Sequence, residues 1–237
     1  MHELCYAVSK SPTSGFTYGG VLVSNCDLHI DTYKPADQPM AYGANNHGSI
    51  VEIRGQWYIF YHRHTNGTWY SRQGCAEPIE VLADGTIPQA ELTSCGLNGG
   101  PLEGKGEYPA YIACNLFCDQ QSMYVGGDRF PKIMQEGRDG DEEPGYISNI
   151  QDSATAGFKY FDCKGVKEIR IKVRGYADGV FEVKTSWDGE PLAAIRMQYS
   201  NVWEEYSAPI EIPDGKQAIY LTYRGGGNAS LKSFELL

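Results

Sequence analysis

Aromatic faces and a small number of hydrogen-bonding side chains are the residue types best placed to do chemistry in this sequence. Its 237 residues include 17 Tyr and 4 Trp. Pyranose rings carry C–H groups that pack flat on such faces, so the composition suits sugar contact, although strands also favour Tyr and that accounts for most of them. The cysteines offer less. Cys5, Cys26, Cys75, Cys95, Cys114, Cys118 and Cys163 show no paired C-x-x-C spacing, which disfavours a structural zinc site and leaves small buried thiols as the reading. Spacing alone leaves a Cys114–Cys118 bridge open. Asp27 and Asp31 lie between strand-like segments with nothing around them that forms an acid–base motif. Arg63 and Glu77 stand at strand ends, where charges usually meet solvent.

Thirty acidic residues against 20 basic ones give a formal charge of −10. Phosphate neutralisation needs a basic surface, so nucleic-acid binding is disfavoured; a neutral polysaccharide is compatible with this charge. No apolar run approaches the roughly twenty residues that span a bilayer. The opening Met1-His2-Glu3-Leu4-Cys5 has neither a basic n-region nor an apolar h-region, so no signal peptide is read in this chain.

The elements that must position these groups are strands. Hydrophobic residues at 41%, charged residues at 21% and 28 Gly fit short strands joined by tight turns. Strands are predicted over 4–9 and 18–23 around the breaker-rich turn 11–16, followed by a polar surface loop at 34–39. A hairpin is predicted over 48–53 and 57–62 about Arg54-Gly55-Gln56, with a third strand at 74–81 ending on Ala83-Asp84-Gly85-Thr86. A propeller blade and a β-sandwich share this local pattern. Gly96, Gly99, Gly100, Gly104 and Gly106 mark residues 92–108 as a linker or extended crossover. A second domain then runs from 109 to 237. It holds an acidic loop at 136–143 and a strand in which Ile169, Ile171 and Val173 alternate with Arg170, Lys172 and Arg174. Further strands fall at 180–185, 208–212, 218–223 and 231–236, the spacing of a β-sandwich. No amphipathic helix is predicted.

Asn45-Asn46-His47-Gly48-Ser49-Ile50-Val51-Glu52, followed by Trp57-Tyr58-Ile59-Phe60-Tyr61-His62-Arg63, resembles glycoside hydrolase family 43, five-bladed β-propeller enzymes that act on arabinoxylan, xylo-oligosaccharides and arabinan. Tyr6-Ala7-Val8-Ser9-Lys10-Ser11-Pro12 resembles a strand pair of a preceding blade, and Ser71-Arg72-Gln73-Gly74-Cys75-Ala76-Glu77-Pro78-Ile79 the last blade. The resemblance covers residues 1–91 and implies an all-β fold that begins with a partial propeller. It implies that His47 points into the central channel, holding a water or a calcium shell beneath the sugar, and that Arg72 reaches the innermost sugar. A guanidinium suits that task through its fixed, permanently charged fork of donors. For His47 the alternative is a buried histidine satisfied by backbone; for Arg72 it is a surface salt bridge. Inverting glycosidases need two carboxyls about 6.5–9.5 Å apart. In this family the base, a helper aspartate and the acid glutamate come from the first three blades, upstream of Met1. The resemblance therefore gives no catalytic residue and implies that this polypeptide alone is inactive.

From 109 to 237 the sequence resembles a family 6 carbohydrate-binding module, a β-sandwich of jelly-roll type. The features are Gly145-Tyr146-Ile147-Ser148-Asn149-Ile150, Gly157-Phe158-Lys159-Tyr160-Phe161-Asp162, Trp203 ahead of Ala208-Pro209-Ile210, and Gly227-Asn228-Ala229-Ser230-Leu231-Lys232-Ser233-Phe234. The resemblance implies a Tyr146–Trp203 clamp on one sugar ring, with Tyr160 as the fallback aromatic. Trp203 reads equally as an ordinary core tryptophan. The family's hydrogen-bonding asparagine is replaced by Ser230, with Asn228 two residues before it, so the polar contact is altered. The two resemblances together imply the C-terminal portion of an α-L-arabinofuranosidase or β-xylosidase from a secreted or periplasmic system, calcium as the sole candidate cofactor, and arabinoxylan or xylan as partner. The alternative is a non-catalytic carbohydrate-binding protein. An incomplete propeller leaves strand edges unpaired, which predicts self-association or a complementary chain.

Overall fold

The computed structural model describes residues 3–25, 27, 28, 30, 45–118, 127–137 and 145–237. Cys26, Asp31, the 34–39 loop and most of the 136–143 acidic loop lie outside the described residues. The fold is all-β, and the described residues hold only two short 3-10 turns, Gly96–Asn98 and Ala110–Ile112.

The first part is two small sheets. Strands β1 (Glu3–Val8) and β2 (Thr17–Ser24) pair antiparallel. Strands β3 (Ser49–Ile53), β4 (Gln56–Arg63) and β5 (Gln73–Ile79) form a meander in which Ile53 faces Gln56 across the Arg54-Gly55 turn. Arg54 and Gly55 both take positive φ, 53° and 83°, as a tight hairpin turn demands. Leu22, Val23, Ile59, Tyr61, Ile79, Ile87, Ala90 and Leu92 bury together beneath these sheets. β3 differs from its neighbours in being exposed along its whole length.

The second part is a curled sheet built on one long ribbon. β12 (Glu168–Lys184) and β15 (Gly215–Leu236) pair antiparallel from Ile169–Leu236 to Lys184–Tyr220. The ribbon turns back on itself where Gly175 and Gly179 oppose Ala229 and Gly225. Gly227 has φ 83°, and a Cβ there would lie 1.9 Å from the Tyr176 carbonyl oxygen, so only glycine fits the bend. On one half of the ribbon, β14 (Ser200–Pro209) joins β12, while β10 (Tyr146–Ile150), followed by β9 (Lys132–Met134), joins β15. On the other half, β13 (Ala193–Met197) joins β12, and β11 (Thr155–Cys163), followed by β8 (Asn115–Phe117), joins β15. The halves close on one core: Ile171, Val173, Leu231 and Phe234 from the first pack in the same cluster as Phe158, Phe181, Val183 and Leu221 from the second. The Phe158 and Phe234 ring centroids are 4.6 Å apart.

The structure differs from the sequence-based expectation in three places. The strands expected at 169–174 and 180–185 are one strand, and so are those at 218–223 and 231–236, because the intervening glycines bend the ribbon without breaking its ladder. Residues 92–108, expected as a linker or crossover, carry β6 (Leu102–Glu103), which runs parallel to β11, and most of β7 (Gly106–Pro109), which pairs with the end of β15. The strand expected at 208–212 falls earlier, at Ser200–Pro209. Cys114 and Cys118 are free, buried thiols, in line with the sequence reading.

Arg63 and Glu77 also depart from expectation, because both are buried. The Arg63 guanidinium donates to the Cys114 carbonyl at 2.6 Å and the Ala113 carbonyl at 2.9 Å, tying β4 to the sandwich. Glu77 accepts from Tyr61 Oη at 3.2 Å, Thr93 N at 2.8 Å and Thr93 Oγ1 at 2.5 Å. Beside them Lys159, fully buried on β11, reaches Asp27 at 3.5 Å and Glu91 at 2.7 Å. A buried ammonium is tolerated only with such partners, so the two parts share a polar interface as well as an apolar one.

Candidate functional site

Histidines gather where β4 meets the segment leading into β3. Gly48 lies so close to β4 that a Cβ would sit 2.1 Å from the Phe60 carbonyl oxygen, and this approach sets His47 beside His62. Their rings stack at 5.4 Å with 26° between planes, and His47 Nδ1 lies 3.1 Å from His62 Nε2. His64, two residues on and buried, meets His62 edge-on at 5.4 Å and Trp69 at 6.1 Å. Its ring nitrogens lie 2.9 Å from the Thr68 carbonyl oxygen and 2.6 Å from Asn45 Oδ1. Asn46 donates to Asn25 Oδ1 at 2.9 Å.

Burial, and then the positive charge of Arg72 together with His64 and His47, lowers the His62 pKa, so His62 is neutral at neutral pH. Arg72 is exposed and stands close enough to act on His62; no ion pair joins it to another described residue. His47 is exposed and not a buried, backbone-satisfied histidine, and it stacks on the same His62 that the Arg72 charge acts on. Calcium takes oxygen ligands, mostly carboxylates. The described groups here are imidazole nitrogens and asparagine amides, and among the described residues no set of three or more His, Cys, Asp or Glu could hold a metal ion. By themselves these residues do not make a calcium cage.

The sandwich carries the other candidates. Tyr146 opens β10 with its side chain opposite to buried Ile147, which puts it on the outer face. Trp203 on β14 is half-buried and meets Tyr146 at 5.4 Å with 74° between planes. Arg174, outward on β12, lies over both rings, its guanidinium carbon 4.3 Å from the Trp203 centroid and 5.2 Å from that of Tyr146. Glu136 pairs with the same guanidinium, and Lys232 approaches Trp203 at 5.6 Å. The two expected clamp residues therefore meet, but edge to face. A sugar held between two rings needs them parallel and apart, and here a cation–π contact fills the space. Ser230 opposes Arg174 in the ladder, and exposed Asn228 donates to Asn149 Oδ1 at 2.7 Å. Tyr160 is remote from this group: its hydroxyl donates to Glu91, and Lys216 covers its ring at 3.9 Å.

No family model matches the chain. Over 242 aligned positions it is 69% identical to a protein named xylosidase/arabinosidase from Thermoclostridium stercorarium, an alignment that takes in 100% of the chain and 51% of that protein. The chain is a homologue of that xylosidase/arabinosidase. An arabinoxylan arabinofuranohydrolase from Paenibacillus polymyxa is 24% identical over 250 positions, covering 98% of the chain and 35% of the relative. Among solved structures, the glycoside hydrolase family 43 arabinoxylan arabinofuranohydrolase of Bacillus subtilis, solved with cellotetraose, aligns with 99% of the chain and 47% of its own length, at TM-score 0.52 and 18% identity. The chain spans about half, or less, of the length of each of these proteins.

Two features of the sandwich surface were missed in the sequence. Arg174 stood outward in the Arg170–Lys172–Arg174 alternation, but nothing placed Trp203 opposite it. Tyr176 and Tyr199, described below, had no motif around them.

Proposed function

We propose that this chain is the substrate-contacting and carbohydrate-binding portion of an inverting, hemicellulose-degrading glycoside hydrolase of α-L-arabinofuranosidase or β-xylosidase type. Residues 1–91 would be the last blades of a five-bladed propeller and 109–237 the sugar-binding sandwich. The observation that carries this reading is the 69% identity to a xylosidase/arabinosidase across the whole chain. Within it, His47 faces the sugar through the ring nitrogen left free of His62, or holds a calcium shell completed by groups outside this cluster. Arg72 presents its donor fork to sugar hydroxyls. On the sandwich, the outer face that bears Tyr146, Trp203, Ser230 and Asn228 is the side that meets an arabinoxylan or xylan chain.

A second reading, a carbohydrate-binding protein without hydrolysis, is favoured by where the two carboxyls whose pKa burial raises most are placed. Asp27 is held at about 6 and Glu77 at about 8, values suited to acid–base work. Both, however, are buried and bound to Lys159, Leu92, Thr93 and Tyr61 inside the molecule. Neither faces a surface where a glycoside could reach it.

Assaying the chain alone, and then mixed with the complementary half of its homologue, on aryl arabinofuranosides and xylosides separates these readings. The chain alone should be inert, and the mixture active. Turnover by the chain alone would overturn the assignment of the chemistry to the other half, and an inert but arabinoxylan-binding mixture would favour the second reading.

A further inference from the structure

From the position of two solvent-facing tyrosines we infer that the sandwich grips its glycan on a Tyr176–Tyr199 platform and not between Tyr146 and Trp203. The inference rests on the carbohydrate-binding reading above. Tyr176 on β12 is 80% exposed and Tyr199, just before β14, is 59% exposed, the former among the most exposed large side chains described. Their rings meet edge to face at 5.0 Å, so each holds the other in place while a face of each stays open. Ring pairs held in this way lose little freedom when a ligand arrives.

The surroundings fit a hydroxyl-rich ligand better than an apolar protein surface. Asn228 sits directly across the ladder from Tyr176. Its amide nitrogen is pinned by Asn149, which leaves its carbonyl oxygen to accept from a sugar hydroxyl. Asp178, on the same face one step along β12, pairs with Arg196 at 2.5 Å and brings both a planar acceptor and a planar donor to the rim. Opposite Ala177 and Asp178 the ladder holds Gly227 and Gly226, which have no side chains to cover the Tyr176 ring. A shallow, open floor with rings above and paired charges at its edge suits an extended chain of neutral sugars. The Tyr146–Trp203 space, by contrast, already holds the Arg174 guanidinium, which Glu136 anchors.

The test is calorimetric titration of the intact chain with xylohexaose and with arabinoxylan oligosaccharides, using Tyr176→Ala, Tyr199→Ala, the double variant and Trp203→Ala. Both tyrosines are exposed, so their variants should keep the parent's near-UV spectrum and melting temperature. Each should weaken binding roughly 5- to 100-fold, by analogy with removal of one ring that stacks on a nucleobase. A double variant that binds like the parent overturns the inference, and if Trp203→Ala then abolishes binding, the sugar site lies at Trp203. If the double variant changes the oligomeric mass but not sugar affinity, the platform is a self-contact and the inference fails. No binding of either glycan by the parent overturns the carbohydrate-binding reading itself, and this inference with it.

Discussion

Glu77 is packed beneath Tyr61 and Thr93, and burial pushes its carboxyl from the usual 4.5 to about 8 against three hydrogen bonds that favour the anion. Folded, the group keeps a proton that the unfolded chain releases above its ordinary value. Stability is therefore greatest at acid pH, falls as pH rises from about 4.5 to about 8, and is level beyond. Asp27, raised by burial to about 6 despite Lys159, adds a loss of the same sign over the lower part of that window. Thermal melts should show a higher Tm near pH 5 than at pH 8, a difference on the order of a few kcal/mol in stability. Glu77→Gln keeps a neutral, hydrogen-bonding side chain and should flatten the curve between pH 6 and 8; an unaltered slope would place the titration elsewhere. None of this was legible in the sequence. Arg63 ends β4, and Glu77, which the sequence reads as a strand-end charge, lies within β5; their partners at Thr93, Ala113 and Cys114 lie far along the chain. Lys159 hides in the same way, since a lysine in an aromatic strand gives no sign of partners at Asp27 and Glu91.

Among elements, the sequence reading was sharpest where turns are local. The β3–β4–β5 meander matches the expected strands closely because Arg54-Gly55 and the flanking alternation leave one register. It was poorest where glycine has two uses. Gly175, Gly179 and Gly225 to Gly227 read as strand breaks, whereas they are the hinge of an unbroken ribbon. Pairing continues through them because close strand approach, not chain reversal, is what requires the missing Cβ. Gly227→Ala tests this. Its positive φ and the 1.9 Å approach to the Tyr176 carbonyl should cost roughly 2–3 kcal/mol, read as a lower urea midpoint with the slope unchanged. The same substitution at Gly55, where a Cβ meets nothing within 4 Å, should cost only the strain of its φ, about 1 kcal/mol. Equal midpoints for the two variants would show that the bend relaxes freely. The expected clamp was half-legible: Tyr146 and Trp203 do come together, but the cation between them belongs to a strand read only for its alternation.

At the scale of the molecule, apolar surface is distributed unevenly. The sandwich encloses its core, whereas Ile50, Val51 and Ile53 on β3, and Val8, Phe16 and Tyr18 around β1 and β2, remain exposed. Ile50 and Val51 point to opposite faces of one strand, so no single layer covers both. An apolar edge strand of this kind pairs readily with another chain. Sedimentation equilibrium should find the chain associated at micromolar concentration, and Val51→Lys should shift it toward monomer by placing charge on that edge. A parent chain that is monomeric throughout would contradict this.

β7 bears on how the molecule can be divided. A cut at residue 109, where composition changes, would strip β6 and most of β7 from the sheet and leave Phe234–Leu236 without their partner on that edge. It would also take away Asp27 and Glu91, the two carboxylates that pair with the buried Lys159 ammonium. Anyone excising a binding module from this chain should therefore begin no later than the strand at Leu102, and should replace Lys159 with an uncharged residue of similar length.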